Sequence, residues 1–407
     1  MNVIFIEPSF PRNQQKFPRA LAEAGANVIG IGETPADGLP SSVKQYMSHY
    51  EQVGSVVRED WLLKTVQFIQ SKVPVHRIEA TVEAHIMAAA RVREQCGIPG
   101  TSVKTAFLCR DKPAMKDVLR EAGVPTAASI GAKDAAEARA FAADTGYPLI
   151  VKPRDGAGAA DTYRVDSDED LERVIRATGL DHGRSVAIEE FIEGHEGFYD
   201  TITIDGQVAH DFVSHYYPNV LEAMRTRWIS PQFIATNRID SAPDYQEVRE
   251  MGKRVIEVLE IETSATHMEW FYGPKGLRFA EIGCRPPGVG AWDLYSAAND
   301  FDIYREWAEA ITHGRTHKRP SRRFSAGVVA LRPDRDGSIA GYDNIEQIHQ
   351  RYRENIIDFH LPSVGTPTQG VEAGYMANAW IRMRHPDYDE LRRILNEVGE
   401  TVQVRAE

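Results

Sequence analysis

The run YPLIVKP at 147–153 carries apolar residues into Lys152, and RDGAGAAD follows it with Gly156 and Gly158. A lysine at a strand end, beside small residues that expose backbone N–H groups, supplies the donors needed to hold the α- and β-phosphates of a nucleotide. Lys112, within CRDKPAMKDVLREAGVPTA at 109–127, places a second lysine at the start of an amphipathic helix. AIEEFIEGHEGFYD sets Glu189 and Glu190 on a strand that breaks after Phe191 at Ile192, with Glu196 just past Gly194. A strand break leaves N–H and C=O groups free to read an adenine edge, and a carboxylate a few residues on can accept both ribose hydroxyls. Glu269 in HMEWF and Glu281 in FAEIG fall on consecutive strands. Two carboxylates facing one cleft repel unless a cation neutralises them, and hard oxygen ligands beside a nucleotide point to Mg²⁺, with Mn²⁺ as an alternative. Arg285, carried past Glu281 by GCRPPG, would then face a transferring phosphoryl group or the anionic intermediate it creates.

Taken singly, each of these residues has a plainer reading. Lys-Pro is an ordinary solvated strand exit, and glutamates on an edge strand are ordinary surface charge. Further along, HYYPNVLEAMRTRWISPQF at 215–233 is aromatic and carries His215, Arg225 and Arg227, which read either as substrate contacts or as a packing and salt-bridge loop. His267 reads as a buried histidine supporting a neighbour rather than a metal ligand, His195 as a polar loop residue, and Cys284 as a small core residue without a histidine to activate it.

These side chains need a frame. Residues 1–105 alternate short β-rich runs (Val3 to Ile6, Asn27 to Ile31) with helical ones (13–24, 60–71, 81–95), the pattern of βαβ units and a parallel sheet. The turn after the first strand reads EPSFPRN, not G-x-G-x-x-G, so a dinucleotide is not expected there. Asp134 with Glu137 signals a helix start, and Gly146 its end. Lys152 and Thr162 to Val165 then form a hairpin with a glycine-rich tip. VAIEEFIEG, FYDTITIDG and QVAHDFVSHYY read as three strands, the last two joined at Asp205-Gly206. A helix at 244–259 precedes the strands of Glu269 and Glu281, joined through Pro274-Lys275-Gly276, and a helical stretch covers 291–312. The remainder reads as a small α+β unit with strands near 325–331 and 374–382 and a helix near 386–398.

At 407 residues the chain exceeds one ordinary core, so several units are expected. A net charge of -12 repels nucleic acid and anionic membranes, and an anionic small substrate would need locally placed Arg or Lys. Three scattered cysteines fit neither a zinc site nor a disulfide framework, which points to the cytoplasm. MNVIFIEPSF reads as a first strand rather than a signal peptide, and no apolar run reaches transmembrane length.

The order Lys112, Lys152, Glu189 to Glu196, Glu269, Glu281 and Arg285 resembles the ATP-grasp superfamily over about 105–315, in its carboxylate-amine ligase branch. RPDRDGSIAGYD and EAGYMANAWIRMRHPDYDEL are similar in pattern to the C-terminal domain of biotin carboxylase and of L-amino-acid ligases. The resemblance implies a mixed α/β and α+β ATP-grasp fold: a Rossmann-like pre-ATP-grasp domain at 1–105, an ATP-grasp domain at 106–320 with a lid at about 125–190, and a small α+β domain at 321–407. It implies that Lys112, Lys152, Gly156 and Gly158 bind nucleotide phosphates, that Glu189, Glu190, Phe191 and Ile192 hold adenine, that Glu196 binds ribose, and that Glu269 and Glu281 carry Mg²⁺. Arg285 and Lys152 would assist phosphoryl transfer to a small carboxylic acid or amino acid, giving an acylphosphate that an amine attacks, with ADP and phosphate released. Relatives also imply a homodimer. Two departures stand out. Glu281-Ile282-Gly283-Cys284-Arg285 has Gly283 where relatives read Asn, and GAGAAD lacks a serine often found in that loop. Biotin carboxylase-like carboxylation and an ATP-binding sensor without turnover are the alternatives.

Overall fold

Val3, Ile4, Phe5 and Ile6 form an unbroken buried run, as do Val28 and Ile29 with Ile31, and such runs suit strands covered on both faces. In the computed structural model, which describes residues 1–155 and 161–407, they are β1 (Asn2–Ile6) and β2 (Asn27–Gly32) of a parallel four-stranded sheet. With β3 (His49–Gln52) and β4 (Arg77–Glu79) the order is β3-β2-β1-β4. Phe17, on the helix Lys16–Glu23, packs against Trp292, Tyr304 and Trp307, so this layer shares a core with the helices Ala291–Asn299 and Ile303–His313 of the central unit.

Four antiparallel strands make a second sheet: β5 (Ser129–Ala132), β6 (Leu149–Lys152), β7 (Tyr163–Val165) and β8 (Val186–Glu190), in the order β5-β8-β6-β7. Its two helices begin on side-chain caps. The Asp134 carboxylate accepts from the Glu137 N–H at 2.9 Å, and the Ser167 hydroxyl accepts from the Asp170 N–H at 3.2 Å. Glu137 reaches back to the Lys133 N–H instead of that of Asp134, one residue beyond the expected capping box. Leu149, Val151 and Ile188 bury against Leu171 and Val174 to close a separate small core.

The largest sheet takes β9 (His195–Ile204), β10 (Gln207–Tyr217), β11 (Gln232–Ala235), β12 (Ser264–Gly273), β13 (Gly276–Gly283) and β14 (Ser325–Leu331). β15 (Ile339–Asp343), β16 (Ile356–His360), β17 (Ala379–His385) and β18 (Gln403–Ala406) follow. Eight antiparallel strands run β13-β12-β9-β10-β11-β14-β17-β16, while β15 pairs with β18. Asp205 (φ 50°) and Gly206 (φ 78°) turn the β9–β10 hairpin with two left-handed residues, the geometry that matches strand twist.

The C-terminal segment adds β14, β17 and β16 to the central sheet through β11, and its β15 and β18 pair as a separate two-stranded sheet. The strand expected near 374–382 is β17, which starts only at Ala379 because residues 369–378 form a loop. Gln369 and Asn378 close that loop through two hydrogen bonds of 2.9 and 3.0 Å. Among the described residues, no helix is long and apolar enough to cross a membrane.

Candidate active site

The second sheet leans over the edge of the central sheet, and between them lies a cavity of about 680 Å³. Asp111 sets one wall. It caps the helix Lys112–Glu121 by accepting from the Ala114 N–H at 3.0 Å, and it clasps Arg154 through two bonds of 2.9 Å. The Lys112 N–H donates to the Arg154 carbonyl at 2.9 Å, so the helix start is fastened beside the end of β6, where Lys152 stands. On the opposite wall, Gly194 brings the loop after β8 against the end of β12: a Cβ there would lie 2.5 Å from the Tyr272 carbonyl oxygen.

Lys112, Lys152, Glu189, Glu190, Phe191, Ile192, Glu196, Arg225, Glu269 and Glu281 all line this cavity. Lys112 Nζ lies 3.3 Å from Glu281 Oε2, and Lys152 Nζ lies 2.9 Å from Glu189 Oε2. Glu269 and Glu281 are direct cross-strand partners, and a bulge at this point places Ala280 next to Glu281 on the same wall. Gly156 and Gly158 lie outside the described residues.

Glu189 stands on β8 one residue before the strand ends. Its side chain turns inward, between Lys152 and Lys116, a residue the sequence reading passed over. Lys116 Nζ sits 2.6 Å from Glu189 Oε1 but off a hydrogen-bonding axis, so that contact is a Coulombic pairing. Burial pushes Lys116 down to about 8 in spite of Glu189. Burial also works against the Glu189 carboxylate, but Lys116 and Lys152 outweigh it and hold Glu189 at about 2. The available signal was the spacing in KPAMK, since lysines four apart share a helix face. Glu190, one residue on, faces the other way, meeting Lys275 and accepting from the Ala128 N–H.

Glu196 is fixed by backbone and amide. Its carboxylate accepts from the Val220 N–H at 2.6 Å, and its own N–H donates to Asn219 Oδ1 at 3.0 Å. Burial first, then the charge of Glu269, raises Glu196 to about 8. His267 takes the supporting place expected of it: Nδ1 is 2.7 Å from Asp200 and Nε2 is 3.6 Å from Glu269. Burial opposes its charge, but Asp200 dominates and lifts it to about 9. Arg164 stacks 4.5 Å over the Phe191 ring and lines the same cavity, another residue not foreseen.

Three expected residues are not brought into the cavity. Arg285 donates from Nε to Glu83 Oε2 at 3.0 Å, joining the central sheet to the turn after β4. Gly283 makes room for this pair, since a Cβ there would lie 3.3 Å from the same carboxylate oxygen. His215 faces His195 and Tyr245, each 2.9 Å away, and burial with His195 and Arg392 pushes it down to about 3, which leaves it no charge for an anion at neutral pH. Arg227 pairs with Asp336 at 2.5 Å and lines a different, smaller cavity. His195 stacks on His215 at the start of β9. Cys284 is buried, and Cys109, held well above the ordinary thiol range by its hydrogen bond to Cys284 and by burial, is not poised as a nucleophile.

The Glu83–Arg285 pair carries its own test. Glu83→Gln and Arg285→Met are each expected to cost about 1–3 kcal/mol, and the double variant little more than either single change. A double-mutant cycle on denaturant unfolding reads the coupling, and additive losses would show the two residues to be independent.

The donor set suits a divalent cation borne by phosphates. Mg²⁺ commonly takes one or two protein carboxylates plus phosphate oxygens, and Glu269 with Glu281 offers two on one wall. Among the described residues there is no group of three or more side chains able to hold a metal alone.

Residues 117–301 match the ATP-grasp domain family. A protein of Bacillus subtilis named L-arginine-specific L-amino acid ligase is 30% identical over 248 residues, covering 57% of this chain and 59% of that one. The large chain of carbamoyl phosphate synthase from Clavibacter sepedonicus is 24% identical over 328 residues, 78% of this chain and 29% of its own. The chain thus spans less than two thirds of the length of either relative. Among solved structures, the L-amino acid ligase of Bacillus licheniformis superposes with a TM-score of 0.76 at 18% identity, covering 100% of this chain and 98% of that one. N5-carboxyaminoimidazole ribonucleotide synthetase of Thermotoga maritima gives 0.71 at 15%, covering 100% and 99%. At such identities the superpositions speak for the fold. The matched residues contain the lysine strand and both cross-strand glutamates, so the chain carries an ATP-grasp domain over residues 117–301.

Proposed function

We propose that this chain is an ATP-dependent carboxylate-amine ligase acting in the cytoplasm on small molecules. The observation that carries the reading is the convergence of Lys112 and Lys152 with Glu269 and Glu281 in one cavity. Two lysines suit the phosphates of one nucleotide, and two facing carboxylates suit the cation that accompanies them. The backbone at 190–192 offers an adenine edge its partners, and Glu196 offers ribose an acceptor.

In the proposed reaction a carboxylate oxygen of the acid takes the terminal phosphoryl group of ATP, and ADP leaves. The amine nitrogen then attacks the acyl carbon of the acylphosphate, phosphate departs with the C–O bonding pair, and the nitrogen loses its proton. Little covalent work falls to the protein. Lys112 and Lys152 neutralise and align the phosphates, and low-dielectric walls strengthen that effect. Mg²⁺, held by Glu269 and Glu281, would supply charge neutralisation across the phosphates.

An ADP-release screen of carboxylic acids, each with and without an amine pool, tests the reading. ADP formation that requires both an acid and an amine is the expected result. ADP formed with bicarbonate as the only acid would turn the reading to carboxylation, and ATP bound without turnover across the panel would defeat it.

A further inference from the structure

Lys116 stands behind the wall of the main cavity. It sits one helical turn past Lys112 on the helix Lys112–Glu121, is buried, and does not line the cavity that Lys112 and Lys152 line. Glu189 gives each of its oxygens to a different lysine: Oε1 lies 2.6 Å from Lys116 Nζ, and Oε2 lies 2.9 Å from Lys152 Nζ. The two cations differ in what else is open to them. Lys152 faces the cavity, where Glu281 and Glu269 also act on it. Lys116 has Glu189 as its one ion-pair partner among the described residues.

One carboxylate needs one counter-ion, and Lys152 already supplies it. Lys116 adds a second positive charge that burial opposes, and an apolar side chain would fill the same place without that cost. The surplus cation gains a use once the cavity is filled. Phosphates there would draw Lys152 Nζ off Glu189, and without Lys116 that exchange would leave a buried carboxylate with no counter-ion, which is strongly unfavourable. Lys116 remains on Oε1 when Lys152 goes. It cannot make the same move, because Glu189 lies between it and Lys152 and because the Asp111 cap and the bond from the Lys112 N–H to the Arg154 carbonyl fasten the start of its helix.

We propose that Lys116 is a positioning residue for the nucleotide: from behind the cavity wall it keeps Glu189 paired, which frees Lys152 to serve the phosphates. Lys116 touches no substrate; it sets how strongly Glu189 competes with phosphate for Lys152. This rests on the reading of the cavity as a nucleotide site. Removing Lys116 leaves Glu189 and Lys152 as a buried one-to-one pair, so phosphate must break that pair to engage Lys152. Removing Glu189 as well ends the competition, and Lys152 is free again.

The test is calorimetric titration of the full chain with MgADP, and with adenosine as the phosphate-free probe. Wild type, Lys116→Met, Glu189→Gln and the double variant Lys116→Met/Glu189→Gln are compared. Lys116→Met is expected to weaken MgADP by about 10-fold while adenosine stays within about 2-fold of wild type. The double variant should return MgADP to within about 3-fold of wild type, a recovery that neither a structural role for Lys116 nor a direct pull of its charge on phosphate would produce. Glu189→Gln alone should bind MgADP at least as tightly as wild type, and this arm needs no Lys116 variant to fold. Unchanged MgADP affinity in Lys116→Met, parallel losses of MgADP and adenosine, a double variant as weak as Lys116→Met, or weaker MgADP binding in Glu189→Gln would each overturn the assignment of Lys116 and leave the nucleotide reading standing. No MgADP binding in wild type would overturn the nucleotide reading as well.

Discussion

Replacing Glu189 by Gln is expected to lower the midpoint of thermal unfolding by about 5–10 °C, corresponding to roughly 3–5 kcal/mol. Glu189 is 5% exposed, Lys116 is 0% exposed, and Lys152 closes the other side, so the carboxylate is the counter-ion of two lysines at once. Removing its charge leaves Lys116 without its nearest counter-ion and Lys152 with only the more distant Glu281 and Glu269, and the burial that already pushes Lys116 down to about 8 would then meet no opposition from this partner. The double variant Lys116→Met/Glu189→Gln should recover part of the loss, because an apolar chain replaces one stranded charge. A double variant less stable than Glu189→Gln alone would contradict this balance.

The same triad sets an acid limit. With Glu189 held at about 2 against an ordinary value of 4.5, the unfolded state binds the extra proton between those values. The stabilisation is complete above the unfolded value and is lost as pH falls through 4.5 towards 2, on the order of 3 kcal/mol in all. Wild type should therefore lose stability more steeply than Glu189→Gln across that window, as followed by denaturant midpoints at stepped pH. Parallel profiles would show that the charge of Glu189 contributes nothing to folding.

The second large effect falls on turnover. Lys152→Ala and Glu281→Gln are each expected to reduce acid-dependent phosphate release by about 10²–10³-fold, the scale on which preorganised charges act in a water-poor site. Lys152 stands at the strand end nearest the fastened start of the Lys112 helix, and Glu281 meets Lys112 at 3.3 Å, so each variant breaks a different side of the charge array. Release within a few-fold of wild type in both variants would place the chemistry elsewhere.

Much of this was legible in the chain. Strands that carry a strong pattern of their own were readable from residue type: Val3 to Ile6, the Asp205-Gly206 hairpin, and the consecutive strands of Glu269 and Glu281. Short strands such as β3 and β4 have too few residues for a period, and β16 and β18 are half exposed along the sheet edges, so local sequence could not announce them. The joining of β14 to β11 is a pairing between segments about ninety residues apart, which no local propensity specifies.

The site followed the same division. The lysines and glutamates could be named because strand ends and a helix start expose them in order along the chain. Partner choice could not. That Glu189 turns to Lys116 depends on which strand face meets the capped helix, and that Arg285 turns to Glu83 depends on how the N-terminal layer docks beside Gly283.

Calorimetric titration of the non-hydrolysable ATP analogue AMP-PNP, with and without Mg²⁺, tests most directly whether one triphosphate gathers these charges. Wild type should bind one equivalent, more tightly with Mg²⁺; Lys152→Ala should weaken binding by about 30-fold or more, roughly 2 kcal/mol, and Glu281→Gln should erase most of the Mg²⁺ dependence. Binding of equal affinity in wild type and both variants, unaffected by Mg²⁺, would contradict it.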